Sequence, residues 1–169
     1  MKKFILSFIM CTACIFAANA QKFALIDMEY IMKNIPAYQQ AINELDQASQ
    51  QYQKAIDNKR KEAETLYKAY QQGAGTMSAS QKTQKEEAIV AKEKEAAELR
   101  QRYFGPEGEM AKKQEALIAP IQDKIYEIVK QISLQKNYDA VIDRASANSI
   151  IFASPRIDIS NEALSKLGY

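Results

Sequence analysis

The chain has 169 residues, 23 lysines and arginines against 21 aspartates and glutamates, and a formal net charge of +2. It contains no histidine, no tryptophan, two cysteines, five glycines and four prolines. This balance lacks the positive field of a nucleic-acid binder. With no histidine, no glycine-rich phosphate loop and no metal-ligand spacing, neither catalysis nor a bound cofactor is expected.

Lys2 and Lys3 precede an apolar run from Phe4 to Phe16, followed by Ala18-Asn19-Ala20. The run is too short to span a bilayer, and the small residues form the pattern read by a signal peptidase. Residues 1–20 are therefore expected to be a cleaved secretory leader, leaving Gln21 first. A lipoprotein leader acylated at Cys11 or Cys14 is the competing reading, but neither cysteine follows a Leu-x-small pattern. Both cysteines lie in the leader, so the mature chain is expected in the periplasm without disulfides. Loss of Lys2 and Lys3 takes its formal net charge from +2 to zero. No later apolar run is long enough for stable membrane insertion.

Phe23-Ala24-Leu25-Ile26 reads as a short buried strand. A short helix through Tyr30 and Ile31 should end near Pro36, which then suits the first turn of a longer helix. From Tyr38 to Tyr70 the residues Tyr38, Ile42, Leu45, Ser49, Tyr52, Ile56, Lys59, Ala63, Leu66 and Tyr70 form an unbroken heptad seam. The expected partner is another long helix. Residues 73–78, Gly-Ala-Gly-Thr-Met-Ser, should reverse the chain, with Ser80 capping a returning helix through Ile89, Ala96, Leu99 and Tyr103. Lys85 and Lys92 stand where a strong coiled coil would place leucine, so this half is expected to be held weakly, by alanine packing and ion pairs.

Phe104-Gly105-Pro106-Glu107-Gly108 should interrupt the returning helix opposite about Leu45 and Asp46. Helix then resumes with Met110, Leu117, Ile121, Ile125, Ile128, Val129 and Ile132 on one face, bent at Pro120. After Asn137 the period becomes two. Tyr138 to Asp143 reads as a strand, 145–148 as a turn, and Ser149 to Ala153 as a second strand of a hairpin. Ser160 is expected to cap a last helix to Leu167, with Ile159 and Leu164 as a hydrophobic staple and Gly168 as the stop.

The fold class is thus mainly α with a small β body: residues 21–35 and 137–169 as the β-rich body, and 36–136 as a helical hairpin with its tip at 73–78 and a kink at 105–108. Three short strands and two short helices make too small a core to stand alone. A homo-oligomer joined through Phe23, Ala24, Leu25, Ile26, Val141, Ile142, Ile150, Ile151 and Phe152 is expected.

Lys22-Phe23-Ala24-Leu25-Ile26-Asp27-Met28, Tyr138 to Asp143, and Ile157-Asp158-Ile159-Ser160-Asn161-Glu162, in that order around a long helical hairpin, resemble the Skp (OmpH-like) family of periplasmic chaperones. The resemblance implies a homotrimer with a barrel-like body of strands. Three hairpin tentacles would then hold unfolded outer-membrane proteins in a cavity, without ATP. Met77 at the tip and Phe104 beside the kink are the candidate client contacts, whereas Tyr38, Tyr52 and Tyr70 at heptad spacing read as core. Family members are commonly basic. Here residues 41–72 carry five basic and five acidic groups, and 81–104 carry six and five, which argues against lipopolysaccharide binding. The alternative is a structural or adaptor coiled-coil protein of the cell envelope that binds one fixed partner.

Overall fold

The computed structural model describes residues 21–147 and 149–169, so the leader read over 1–20 and the end of the turn at Asn148 lie outside it. The elements run β1 (Phe23–Ile26), α1 (Met28–Lys33), α2 (Pro36–Gly73), α3 (Ala79–Phe104), α4 (Glu109–Lys136), β2 (Ala140–Asp143), a 3₁₀ turn (Pro155–Ile157) and α5 (Ser160–Leu167). They form two compact units. One comprises 21–34 with 124–169, and the other 35–123.

In the first unit β1 pairs in parallel with β2, in the register Phe23 to Ala140, Ala24 to Val141, Leu25 to Ile142 and Ile26 to Asp143. The backbone of Leu25 also bridges to Asp158, and its carbonyl accepts from the Ile159 N–H at 2.9 Å. Both edges of β1 are therefore used, which is why Ala24, Leu25 and Ile26 are buried. The core gathers these three with Ile31 of α1, Ile125, Val129 and Ile132 of α4, and Ile159, Ala163 and Leu164 at the last helix. The buried stripe of α4 begins at Ile118 rather than Leu117, and Ile128 is only half-buried. Asn137 ends α4 in the left-handed region, at φ 54°, a conformation that asparagine tolerates better than most residues.

Three expectations need correction here. The antiparallel hairpin of 138–153 does not form: β2 pairs with β1 instead, and 150–153 has no regular secondary structure and no ladder among the described residues. A strand needs a neighbour for its N–H and C=O groups; the Ile150 N–H turns back to the Ala147 carbonyl at 3.3 Å, and no strand pairs with Ile150-Ile151-Phe152 among the described residues. Ser160 is the first residue of α5 and not its cap. Its buried hydroxyl accepts from the Asp27 N–H at 2.8 Å and donates to the Asp158 carboxylate at 2.6 Å. Ser78, not Ser80, caps α3, because Ser78 and Gln81 form a reciprocal capping box. The staple Ile159 and Leu164 is buried, and Gly168 stops α5 at φ 91°.

Ser160 ties the loop after β1 to the start of α5, and Arg144 clamps the same place by pairing with Asp27 at 3.1 Å and Asp158 at 3.7 Å. Ser160→Ala should therefore lower stability by about 1–3 kcal/mol, since the Asp27 N–H and the Asp158 carboxylate each lose a buried partner. Ile125→Ala should cost about 2–5 kcal/mol through the cavity it leaves. Urea midpoints measure both. An unchanged midpoint for Ser160→Ala would show that water replaces the hydroxyl there.

Candidate functional site

The second unit is an antiparallel helical hairpin. Partners march in step along it: Tyr70 faces Glu86, Glu62 faces Lys92, Lys59 faces Glu95, Tyr52 faces Tyr103, and Glu44 faces Lys113. The predicted seam of α2 is the inward face: Ile56 and Ala63 are buried, and every other seam residue except Ile42 is at least partly covered. Near its start the seam shifts by one, so Ala41 is buried and Ile42 is 40% exposed. From α3, Ile89 and Ala96 face inward.

At the tip, Thr76 closes a turn on the Gly73 carbonyl through both its N–H, at 3.1 Å, and its hydroxyl, at 3.0 Å. Met77 is not splayed into solvent. A Cβ on Gly73 would stand 2.6 Å from the Met77 Cε, so the thioether lies back against glycine and is half-buried.

Halfway along, the seam is charged. Lys59 and Lys92 each touch both Glu62 and Glu95, at 3.0 to 3.5 Å. Lysine bonds hold both carboxyl groups below their ordinary range, that from Lys92 acting most on Glu62 and that from Lys59 most on Glu95. Glu62, followed by Glu95, holds Lys92 above its ordinary range. All four groups are partly exposed, so the square fixes the pairing of the helices more than it stabilises them.

Toward the break, Tyr52 of α2 stacks on Tyr103 at 4.1 Å and 6°, with Phe104 edge-on at 6.3 Å. Arg102 lies 5.7 Å from the Tyr103 ring centre and donates to Glu109 across the break at 2.7 Å. The Arg102 guanidinium keeps Glu109 below its usual range, and the Glu109 carboxylate pushes Tyr52 up. Residues 105–108 thus lie between the levels of Tyr52 and Glu44 and begin nearer Tyr52 than the expected Leu45 and Asp46, because the capping box sets the turn farther along the chain. A Cβ on Gly108 would stand 2.8 Å from the Tyr103 carbonyl oxygen and 2.9 Å from that of Arg102, so the break depends on glycine there.

Two open grooves flank the seam, one of about 610 Å³ bounded by Leu66, Thr65 and Lys92, the other of about 500 Å³ floored by Ala63, Ala96 and Ala97 beside Tyr67. Tyr67 is 48% and Val90 60% exposed, and Phe104 shows 39% of its surface. Tyr67 and Val90 are absent from the sequence-derived contact residues. The signal was available, since each directly follows a seam residue, Leu66 or Ile89, and must point away from it.

The residues expected to join subunits divide in the first unit. Ala24, Leu25 and Ile26 are interior, Val141 and Ile150 are half-buried, and Phe23 and Ile142 are largely exposed. Ile151 is 100% and Phe152 84% exposed, so the chain alone leaves an apolar pair in water.

One unit is a long antiparallel two-helix hairpin, and the other is built on a parallel two-stranded sheet. A family model described as outer membrane protein (OmpH-like) matches residues 22–167. The chain belongs to the OmpH-like, or Skp, family. It is 29% identical to an uncharacterised protein of Aquifex aeolicus over 145 residues, 86% of this chain and 85% of that one. It is 23% identical to the chaperone protein Skp of Yersinia enterocolitica over 151 residues, 89% of this chain and 88% of Skp. Its fold matches the crystal structure of a Caulobacter crescentus protein described as an OmpH-like outer membrane chaperone. The TM-score is 0.68 at 13% identity, covering 89% of this chain and 86% of the other.

Two predictions concern the hairpin. Glu62 and Glu95 are held low, so their pairs contribute above the ordinary glutamate range and are lost as pH falls through the lower folded value; Lys92, held high, loses its contribution only above the ordinary lysine range. The square should hold from about pH 5 to pH 10. In about 1 M salt, where charges are screened beyond about 3 Å, amide exchange at 56–66 and 89–99 should accelerate. Unchanged exchange would mean that the apolar seam alone holds the helices. Gly108→Ala should cost about 1–3 kcal/mol by forcing the break open, while Gly75→Ala, with nothing within 4 Å of its Cβ, should stay within about 0.5 kcal/mol. Thermal melts of the two compare them directly.

Proposed function

We propose that this protein is an ATP-independent periplasmic holdase that binds unfolded outer-membrane proteins along its helical hairpins and keeps them from aggregating. The observation that carries this reading is the hairpin surface. Apolar side chains such as Tyr67, Val90 and Phe104 are exposed one at a time beside charged groups, over a long arm with open grooves beside its seam. Such a surface cannot grip one sequence tightly, but it can touch many weakly, and several arms around one client multiply those contacts into useful affinity. Membership of the family and similarity to a protein named chaperone protein Skp support the same reading.

The arms belong, in this proposal, to a homo-oligomer, a trimer by resemblance, reached after residues 1–20 are removed in crossing the inner membrane. Exposed Ile151 and Phe152, beside a strand β2 with one unpaired edge, support joining through these ends. Met77 is a weaker client contact than Tyr67 or Val90, because it already rests on Gly73. The near-neutral arms support clients held by dispersed apolar contact and offer little to lipopolysaccharide.

Diluting a urea-unfolded outer-membrane barrel protein into residues 21–169 without nucleotide should give a soluble complex with one client per oligomer, read by native mass. Tyr67→Ser with Val90→Ser should raise client aggregation several-fold at equal dose, with oligomer mass and helix content unchanged. Phe152→Asp should yield monomers. A wild-type oligomer that leaves the client to precipitate would sink the holdase reading and favour a dedicated envelope partner.

A further inference from the structure

The backbone ties of the first strand region begin at Lys22. The Lys22 N–H donates to the Asp139 carboxylate at 2.7 Å, and the Lys22 carbonyl accepts from the Asp139 N–H at 2.8 Å. From Lys22 onward the backbone is tied to the strand partner. Gln21 lies one residue outside that tie, exposed, and its side chain has no hydrogen bond among the described residues. Ala18-Asn19-Ala20 stands immediately before it. Cleavage after Ala20 would create an α-amine on the one residue type whose carboxamide carbon lies at the distance for an unstrained five-membered ring. Asparagine would have to close a four-membered one.

We infer that Gln21 is a modification site, at which the new terminus closes to pyroglutamate. The amine nitrogen attacks the side-chain Cδ, the new N–Cδ bond forms as the Cδ–Nε2 bond breaks, and the amine's proton leaves with nitrogen as ammonia. No oxidant, reductant or co-reactant is needed. The reaction uses the unprotonated amine, which is populated appreciably near pH 8. The fold permits it because the ring consumes neither of the Lys22 hydrogen bonds, and among the described residues the exposed Gln21 side chain has no partner to break. The product loses the terminal positive charge and presents no free amine to an aminopeptidase, so the strand that the body depends on cannot be trimmed from its end.

The inference rests on the leader reading within the proposed function, and one experiment separates the two. The full chain, leader included, is expressed with export, recovered from the periplasm, held at pH 8, and examined by intact mass and stepwise amino-terminal degradation. The expected result is the mass of residues 21–169 less one ammonia, with degradation blocked. Gln21→Ala should give its full calculated mass and an open terminus at residue 21. A wild-type chain that keeps its full mass and reads Gln21 first after prolonged incubation overturns cyclisation while leaving cleavage after Ala20 intact. A terminus at any other residue overturns both.

Discussion

The parallel pairing of β1 with β2 is the constraint on which the rest depends. Parallel neighbours cannot be joined by a tight turn, so the chain must leave after one and return before the other. Here the tie between Lys22 and Asp139 spans 117 residues. Closing so long a loop is entropically expensive, yet the cost grows only slowly with length, and most of the loop is helix that organises itself through local bonds. The ends can therefore be held by little. Asp27, Arg144, Asp158 and Ser160 form a compact polar knot around strands of four residues each.

The hairpin solves a different problem, which is to be ordered without being sealed. A leucine zipper would bind its two helices firmly and hide every apolar group. This seam alternates instead among apolar pairs, a square of four charges and an aromatic stack, so no section is strongly hydrophobic for long. Charged contacts in water add register at little gain in stability. The result is an arm whose helices stay aligned while Tyr67 and Val90 remain available beside the seam. The glycine break at 105–108 does not disturb alignment, since Tyr52 before it and Glu44 beyond it keep step with the returning chain.

What was legible in the sequence follows local rules. The heptad seam of α2, the reversal after Gly73, the interruption after Phe104 and the ends of β1 and α5 all rest on side-chain period, glycine and proline. The seam also marks what it does not bury: Tyr67 and Val90, directly after Leu66 and Ile89, point outward and are exposed. The capping box of Ser78 with Gln81 was equally legible, since a serine three residues before a glutamine is its sequence signature.

By itself, then, the sequence determined the helices, their breaks and the near-neutral charge of the arms, because each depends on neighbours a few positions away. Its period also suggested a strand at Ile150-Ile151-Phe152, which does not form. Only the tertiary structure decided that β2 joins β1 rather than that segment, that Leu25 takes Asp158 on its other side, and that Ser160 bonds to Asp27 instead of capping its helix. These choices are settled by partners more than a hundred residues away, where backbone groups compete for the same hydrogen bonds. Period alone cannot rank such competitors, since every one of them satisfies it.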